Sequence, residues 1–267
     1  MRLCLTFDDV ALVPIFNNVE SRLAPELDTR LTSNVNLEIP ILASNMDTVI
    51  NSTLAQVLQN AGSVPIFHRF ASYEQKIEWM NLFPNSFISC GIRTGDIVEI
   101  EKILENTSVK GVCFDIAHGH SRRLMDTIYK LKVKYPELDI TAGNVCSPDG
   151  YRDLVNAGAT AVKVGIGPGA ACTTRMVTGF GVPQFTALQD IAAVKKKLKV
   201  PIIADGGIRN SRDIVIALAA GADTVMLGKL FALTNESAAP KKPVTKVTHS
   251  SEFSPREHRT GEVLAKY

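Results

Sequence analysis

The chain has 267 residues, 45% hydrophobic and 21% charged, with a formal net charge of +2. Its length suits one domain, since a (βα)₈ barrel takes roughly 250 residues. The charge is too small to argue for a nucleic-acid or membrane partner. No apolar run approaches the roughly 20 residues needed to span a bilayer. The start, MRLCLTFDDV, is cut off by Asp8 and Asp9 and does not read as a secretory signal.

Short apolar runs recur between turn residues at 39–46, 63–68, 86–92, 110–115, 139–144, 160–166, 200–205 and 223–228. Without polar alternation they suit parallel strands buried on both faces. Helical patterns fill the intervals, from STLAQVLQNAG after the first run to SRDIVIALAAG before the last. Ser121, Ser147 and Ser211 stand at N-cap positions, where a hydroxyl accepts an orphan N–H of the first turn. QNAGSVPIF, VNAGATAVKV and AAGADTVML repeat a glycine helix stop followed at once by a strand. The period of about 24 residues is that of one βα unit. The expected fold is therefore α/β, a (βα)₈ TIM barrel over residues 1–232, with an open doubly wound sheet as the alternative.

Two segments break the period. The interval between the sixth and seventh runs stretches to about 40 residues and holds GPGAACTTRMVTGFGVPQF, and loops of that length in compact domains are usually functional. Residues 233–267 are polar and proline-containing, and read as a flap or mobile tail.

Five cysteines, Cys4, Cys90, Cys113, Cys146 and Cys172, occur with no CxxC pair, as expected for reduced thiols of a cytoplasmic protein. Cys4, Cys90 and Cys113 sit in apolar runs and read as small buried hydrophobes. Cys172 lies instead in GIGPGAACTTR, where Gly165, Gly167 and Gly169 permit unusual backbone angles and Arg175 would favour a thiolate. That pattern points to a reactive cysteine.

Barrel chemistry sits at the C-terminal strand ends. Those ends carry Ser44, Asn45, Met46 and Asp47; His68 and Arg69; Asp115 and His118; Asn144; Gly165 to Cys172; Asp205, Gly206 and Gly207; and Gly228 and Lys229. Glycines after the last two strands fit a phosphate held by backbone N–H groups. His118 and His120 are two apart, which is not the spacing of a helical metal pair.

LTFDDVALVP, ILASNMDTVI, DIAHGHS, TAGNV, KVGIGPGAACTTR, TGFGVPQ and IIADGGI together resemble the IMP dehydrogenase/GMP reductase family, from about residue 4 to about 236. TGFG, SNMDTVI and HRF lean towards the GMP reductase branch, as does the lack of a regulatory insert before the third strand. The resemblance implies that the Cys172 thiolate attacks C2 of a purine nucleotide, with Thr174 beside the departing amine. It implies Ser44, Met46, Asp205, Gly206, Gly207, Gly228 and Lys229 for the nucleotide. Arg69, Asp115 and Asn144 would hold NADPH, and the carbonyls of Gly167, Gly169 and Cys172 would hold a monovalent cation such as K⁺. GMP and IMP would be substrate and product, and the assembly a homotetramer.

The chain departs from the family in having Ala170 for a phosphate-binding serine, with Lys229 as the compensating donor, and Arg69 for a lysine. The Tyr-x-Gly-Met flap segment and a later catalytic glutamate are not in the sequence, which implies an incomplete flap and last helix and impaired turnover. The competing readings are an IMP dehydrogenase using NAD, a non-catalytic purine nucleotide-binding barrel, and an unrelated aldolase-like barrel with Lys163 forming a Schiff base.

Overall fold

The structure is a computed structural model and describes residues 2–240. After a short 3-10 turn at Phe7–Asp9 comes an antiparallel pair, β1 (Thr29–Arg30) and β2 (Asn36–Leu37). Strand and helix then alternate: β3 (Ile41–Ala43), α1 (Ser52–Asn60), β4 (Ile66–Phe67), α2 (Tyr73–Leu82), β5 (Phe87–Cys90), α3 (Thr94–Asn106), β6 (Gly111–Asp115) and α4 (Arg122–Lys134). The second half runs β7 (Asp139–Val145), α5 (Pro148–Ala157), β8 (Ala161–Val164), α6 (Thr174–Thr178), α7 (Gln184–Leu198), β9 (Ile202–Asp205), α8 (Ser211–Ala219), β10 (Thr224–Leu227) and α9 (Lys229–Ala232).

The eight apolar runs form one parallel sheet in the order β3-β10-β9-β8-β7-β6-β5-β4. The last strand pairs with the first, Val225 opposite Ile41, which an open doubly wound sheet would not do. At the remaining seam, between β3 and β4, the Ser63 hydroxyl donates to the Ile41 carbonyl at 2.5 Å. The fold is a nearly closed (βα)₈ barrel.

Because strand side chains alternate, each strand gives one set to the helices and one to the barrel interior. The outward set, including Ile88, Val112, Phe114, Ile140, Val162, Ile202 and Val225, packs with Leu54, Ile100, Leu124, Ile128, Tyr151, Leu188 and Ile216 of the helices. The inward set at the lower end is Leu42, Ile66, Phe87, Cys113, Ala161, Ile203 and Met226. Leu31, Val35 and Leu37 of the β1–β2 hairpin complete this inner cluster, so the hairpin plugs the lower mouth. It is tied there by Thr29 Oγ1 to the Asp223 carbonyl (2.9 Å) and Asn34 Nδ2 to Asp139 (3.1 Å).

Ser121 and Ser147 cap α4 and α5, accepting from Leu124 N and Gly150 N. At α8 the expected cap is displaced by one residue. Ser211 is the first helical residue, and Asn210 is the cap, accepting from Asp213 N at 3.1 Å. Asn is as good a cap as Ser, and its neighbour leaves no second vacancy. Asn210→Ala should therefore cost about 1 kcal/mol, a fall in Tm of roughly 2–4 °C by thermal melt, while Ser211→Ala stays near wild type.

Contacts cross the boundary expected at residue 232. Ala238 N donates to the Val49 carbonyl at 3.1 Å, and Ser237 and Ala239 are buried. Residues 241–267, the rest of the expected flap, lie outside the described residues. Among the described residues, no helix is long and apolar enough to cross a membrane.

Candidate active site

Two residues further along each strand from the inner apolar layer lie Ser44, His68, Ser89, Asp115, Lys163, Asp205 and Gly228. Strand alternation turns these inward as well. The barrel interior thus changes from aliphatic to polar in one step, at the end where its loops emerge. Lys163 is the hub of this layer. Its ammonium lies 2.5 Å from Asp115 Oδ1 and 2.8 Å from Asp205 Oδ2, with the side chain only 3% exposed.

Burial alone would lower the Lys163 pKa, but Asp115 and Asp205 outweigh it and hold the amine above its ordinary value. Burial likewise pushes the Asp115 carboxyl upward, but Lys163, helped by Arg69 and Asn45, brings it below the ordinary carboxylate range. The Schiff-base reading of Lys163 is thereby corrected. An aldolase lysine must shed its proton to act as a nucleophile, and this one is held protonated between two carboxylates.

Asn144 Nδ2 donates to Asp205 Oδ2 (2.8 Å) and to the Gly165 carbonyl (2.7 Å), while its buried Oδ1 has no partner among the described residues. Arg69, after β4, lies over Phe70 at 4.7 Å and contributes to the field at Asp115, and its buried Nε is likewise unpartnered among the described residues. Asn45 Nδ2 donates to Ser89 at 2.8 Å beneath this group. Burial lowers the pKa of His68, and its Nδ1 accepts from Phe70 N at 3.2 Å.

The cysteine loop follows β8. Gly165 has φ +144°, and a Cβ there would lie 2.1 Å from the Asp205 carbonyl oxygen. The loops after β8 and β9 therefore touch, and Gln184 reinforces the join by donating to the carbonyls of Val164 (2.8 Å) and Asp205 (3.3 Å). Arg175 clamps the far side of the loop through the Ile166 carbonyl (2.9 Å) and the Val182 carbonyl. Cys172 is half-buried, its thiol donating to Thr174 Oγ1 at 3.2 Å and its N–H to the Gly169 carbonyl at 3.0 Å. Arg175 acts electrostatically on both Cys172 and Cys146.

Burial pushes the thiols of Cys90 and Cys113 up to about 12, and raises that of Cys146. Cys4 is half-buried, not core, because the N-terminal segment lies on the surface of α7 and α8.

Gly206 and Gly207 have φ +88° and +81° and pack against Gly169 and Pro168 of the cysteine loop. Gly228 lies beside Ser44 and Met46 and precedes α9, with Lys229 exposed at its start. The site residues expected after β3, β8, β9 and β10 thus share one mouth with Asp115, Arg69 and Asn144. His118 and His120 stand apart, exposed or paired with Asp153 at 2.8 Å.

A family model described as the IMP dehydrogenase/GMP reductase domain matches residues 4–249. This chain belongs to that family. The inosine-5'-monophosphate dehydrogenase of Borreliella burgdorferi is 39% identical over 287 residues, 87% of this chain and 70% of that protein. That of Chlorobaculum parvum is 55% identical over 147 residues, 55% of this chain and 30% of its own length. The GMP reductase of Enterococcus faecalis is 39% identical over 266 residues, 96% of this chain and 80% of its own. These names make the IMP dehydrogenase/GMP reductase family one of oxidoreductases of purine nucleotides.

Within this family member, sequence reasoning missed two polar residues of the mouth, Ser89 and Gln184. Asn45, named at its strand end without a role, forms a buried pair with Ser89, and Gln184 staples β8 to β9. Gln184 stood in the TGFGVPQ motif, and Asn45 in ASNM, but neither carried a role.

Proposed function

We propose that this protein is a GMP reductase, converting GMP to IMP and ammonia with NADPH, with Cys172 as nucleophile. The observation that carries the reading is the Cys172 thiol, 3.2 Å from Thr174 Oγ1 in a loop packed on the glycines after β9. The thiolate adds to C2 of GMP, forming a C–S bond as the ring nitrogen takes the electron pair. The amine, beside Thr174 Oγ1, takes a proton from solvent and leaves C2 as ammonia while the ring nitrogen's electron pair re-forms the C=N bond, and a Cys172 thioimidate remains. The nicotinamide, when bound, supplies hydride to C2, and the thiolate is expelled to give IMP.

Asp205 accepts the ribose hydroxyls, since a carboxylate is an acceptor only. Backbone N–H groups of Gly206, Gly207 and Gly228 hold the phosphate beside Lys229, with Ser44 and Met46 lining the pocket; Ala170 adds no hydroxyl. Arg69, Asp115 and Asn144 face the cofactor, and the orphaned Arg69 Nε and Asn144 Oδ1 fit a polar ligand there. The carbonyls of Gly167, Gly169 and Cys172 suit a monovalent cation, since one lone pair of Gly169 remains beyond its bond from Cys172 N. The reading includes a cytoplasmic homotetramer. It is supported by an apolar arm exposing Leu12, Val13, Ile15, Phe16 and Leu23.

Two observations favour the reductase. Only residues 83–86 join α2 to β5, where the dehydrogenases usually carry a regulatory insert. Alignment with the Enterococcus faecalis reductase also spans 96% of the chain. The dehydrogenase reading is favoured by the 55% identity to the Chlorobaculum parvum enzyme over 147 residues. Absorbance at 340 nm decides between them. GMP should consume NADPH and release ammonia; NADH formation and XMP production from IMP with NAD, without NADPH consumption, would instead establish a dehydrogenase.

A further inference from the structure

Lys163 is the charged residue of a strand whose other members, Ala161, Val162 and Val164, are buried and apolar. A buried ammonium is costly unless compensated, and here two carboxylates from two other strands compensate it. Both the Lys163 and Asn144 bonds to Asp205 land on Oδ2, so Oδ1 is the oxygen open to a sugar hydroxyl. Asp115 receives Lys163 on Oδ1 and faces Arg69 and Asn45 from the other side. One cation therefore fixes a carboxylate in each half of the mouth.

We propose that Lys163 is a positioning residue that orients Asp115 and Asp205 together and so couples the cofactor subsite to the purine-nucleotide subsite. This rests on the assignment of those two carboxylates to the two subsites above. The charged and titratable groups around the trio are Cys113 on β6 and Arg69 after β4, with Asn144 and Asn45 as neutral donors. With Lys163 gone, two like charges face one another across the mouth without their common cation. Each carboxylate is freed to rotate, and Asp115, no longer held below the ordinary carboxylate range by Lys163, takes up a proton at higher pH.

Calorimetric titration of the full chain tests this, with GMP as one ligand and NADP⁺ in saturating GMP as the other, a pair that cannot turn over. Asp205→Asn should weaken GMP, Asp115→Asn should weaken NADP⁺, and Lys163→Met should weaken both about tenfold or more. In Lys163→Met, NADP⁺ affinity should also fall more steeply than in wild type as pH drops from about 8 to about 6, because Asp115 has lost the cation that holds it charged. If the two Asp variants lose their ligands while Lys163→Met binds both normally with the wild-type pH profile, the coupling is overturned and the subsites stand. If neither Asp variant changes binding, the subsite assignment fails and the coupling with it. Should Lys163→Met not fold, Lys163→Met/Asp205→Asn removes one charge of each sign. Its NADP⁺ affinity should be about tenfold below that of Asp205→Asn, and equal affinities would overturn the proposal.

Discussion

Cys172→Ala is expected to bind GMP within about threefold of wild type and to lose turnover by about 10⁴-fold or more. In the proposed reading the nucleotide is held by groups on other strands: Asp205 at the end of β9, Gly228 and Lys229 after β10, and Ser44 after β3. On that reading the sulfur adds little to ground-state affinity but forms the covalent bond on which the step depends. The loop itself should survive, since among the described residues the thiol bonds only to Thr174 Oγ1, while Arg175 and the Cys172 N–H carry the loop geometry. Stopped-flow and steady-state assays with GMP and NADPH read the loss, and calorimetry reads the binding. Turnover within about tenfold of wild type would remove Cys172 from the chemistry.

Gly165→Ala should be the most damaging single methyl in the chain. Its φ of +144° is unfavourable for any residue with a Cβ, and that Cβ would lie 2.1 Å from the Asp205 backbone oxygen. Backbone cannot step aside as a side-chain tip can. Gln184 also holds the same carbonyl in place from above, at 3.3 Å. A cost of about 3 kcal/mol or more follows, or a fall in Tm of roughly 6–12 °C. Surviving protein should bind GMP poorly, because the shift moves Asp205 and the Gly206 turn. Gly95→Ala is the control: it lies in α3 with nothing within 4 Å of its Cβ, and should be neutral or slightly stabilising. Equal melts for Gly165→Ala and wild type would contradict the close approach of the two loops.

The eight strands were legible because each is a short, mostly apolar run without polar alternation, and the barrel followed from their spacing. The hairpin of β1 and β2 was not, since two-residue strands show no period and its apolar residues sit among polar ones. At the mouth, Ser44, Asp115, Asp205 and Gly228 stood out because each ends a run. Lys163 was noticed as a possible Schiff-base lysine, a reading the cysteine loop argued against, but its pairing was not seen. Its partners are 48 and 42 residues away, and nothing local reveals that a mid-strand lysine is neutralised by both. Strand parity carried the missing signal: Lys163, Asp115 and Asp205 each lie two residues beyond an inner apolar residue, Ala161, Cys113 and Ile203. Ser211 lost its cap role to Asn210 because the two residues are adjacent and equally suited.

A purine ribonucleoside 5'-monophosphate carrying chlorine at C2 in place of the amine tests the proposed covalent chemistry most directly. Thiolate attack would form the C2–S bond and expel chloride, leaving a stable thioether that peptide mass mapping can locate. Modification of Cys172 alone, blocked by excess GMP and absent from Cys172→Ala, is the predicted result. A chain left unmodified, or labelled at Cys4 or Cys146 regardless of GMP, would contradict it.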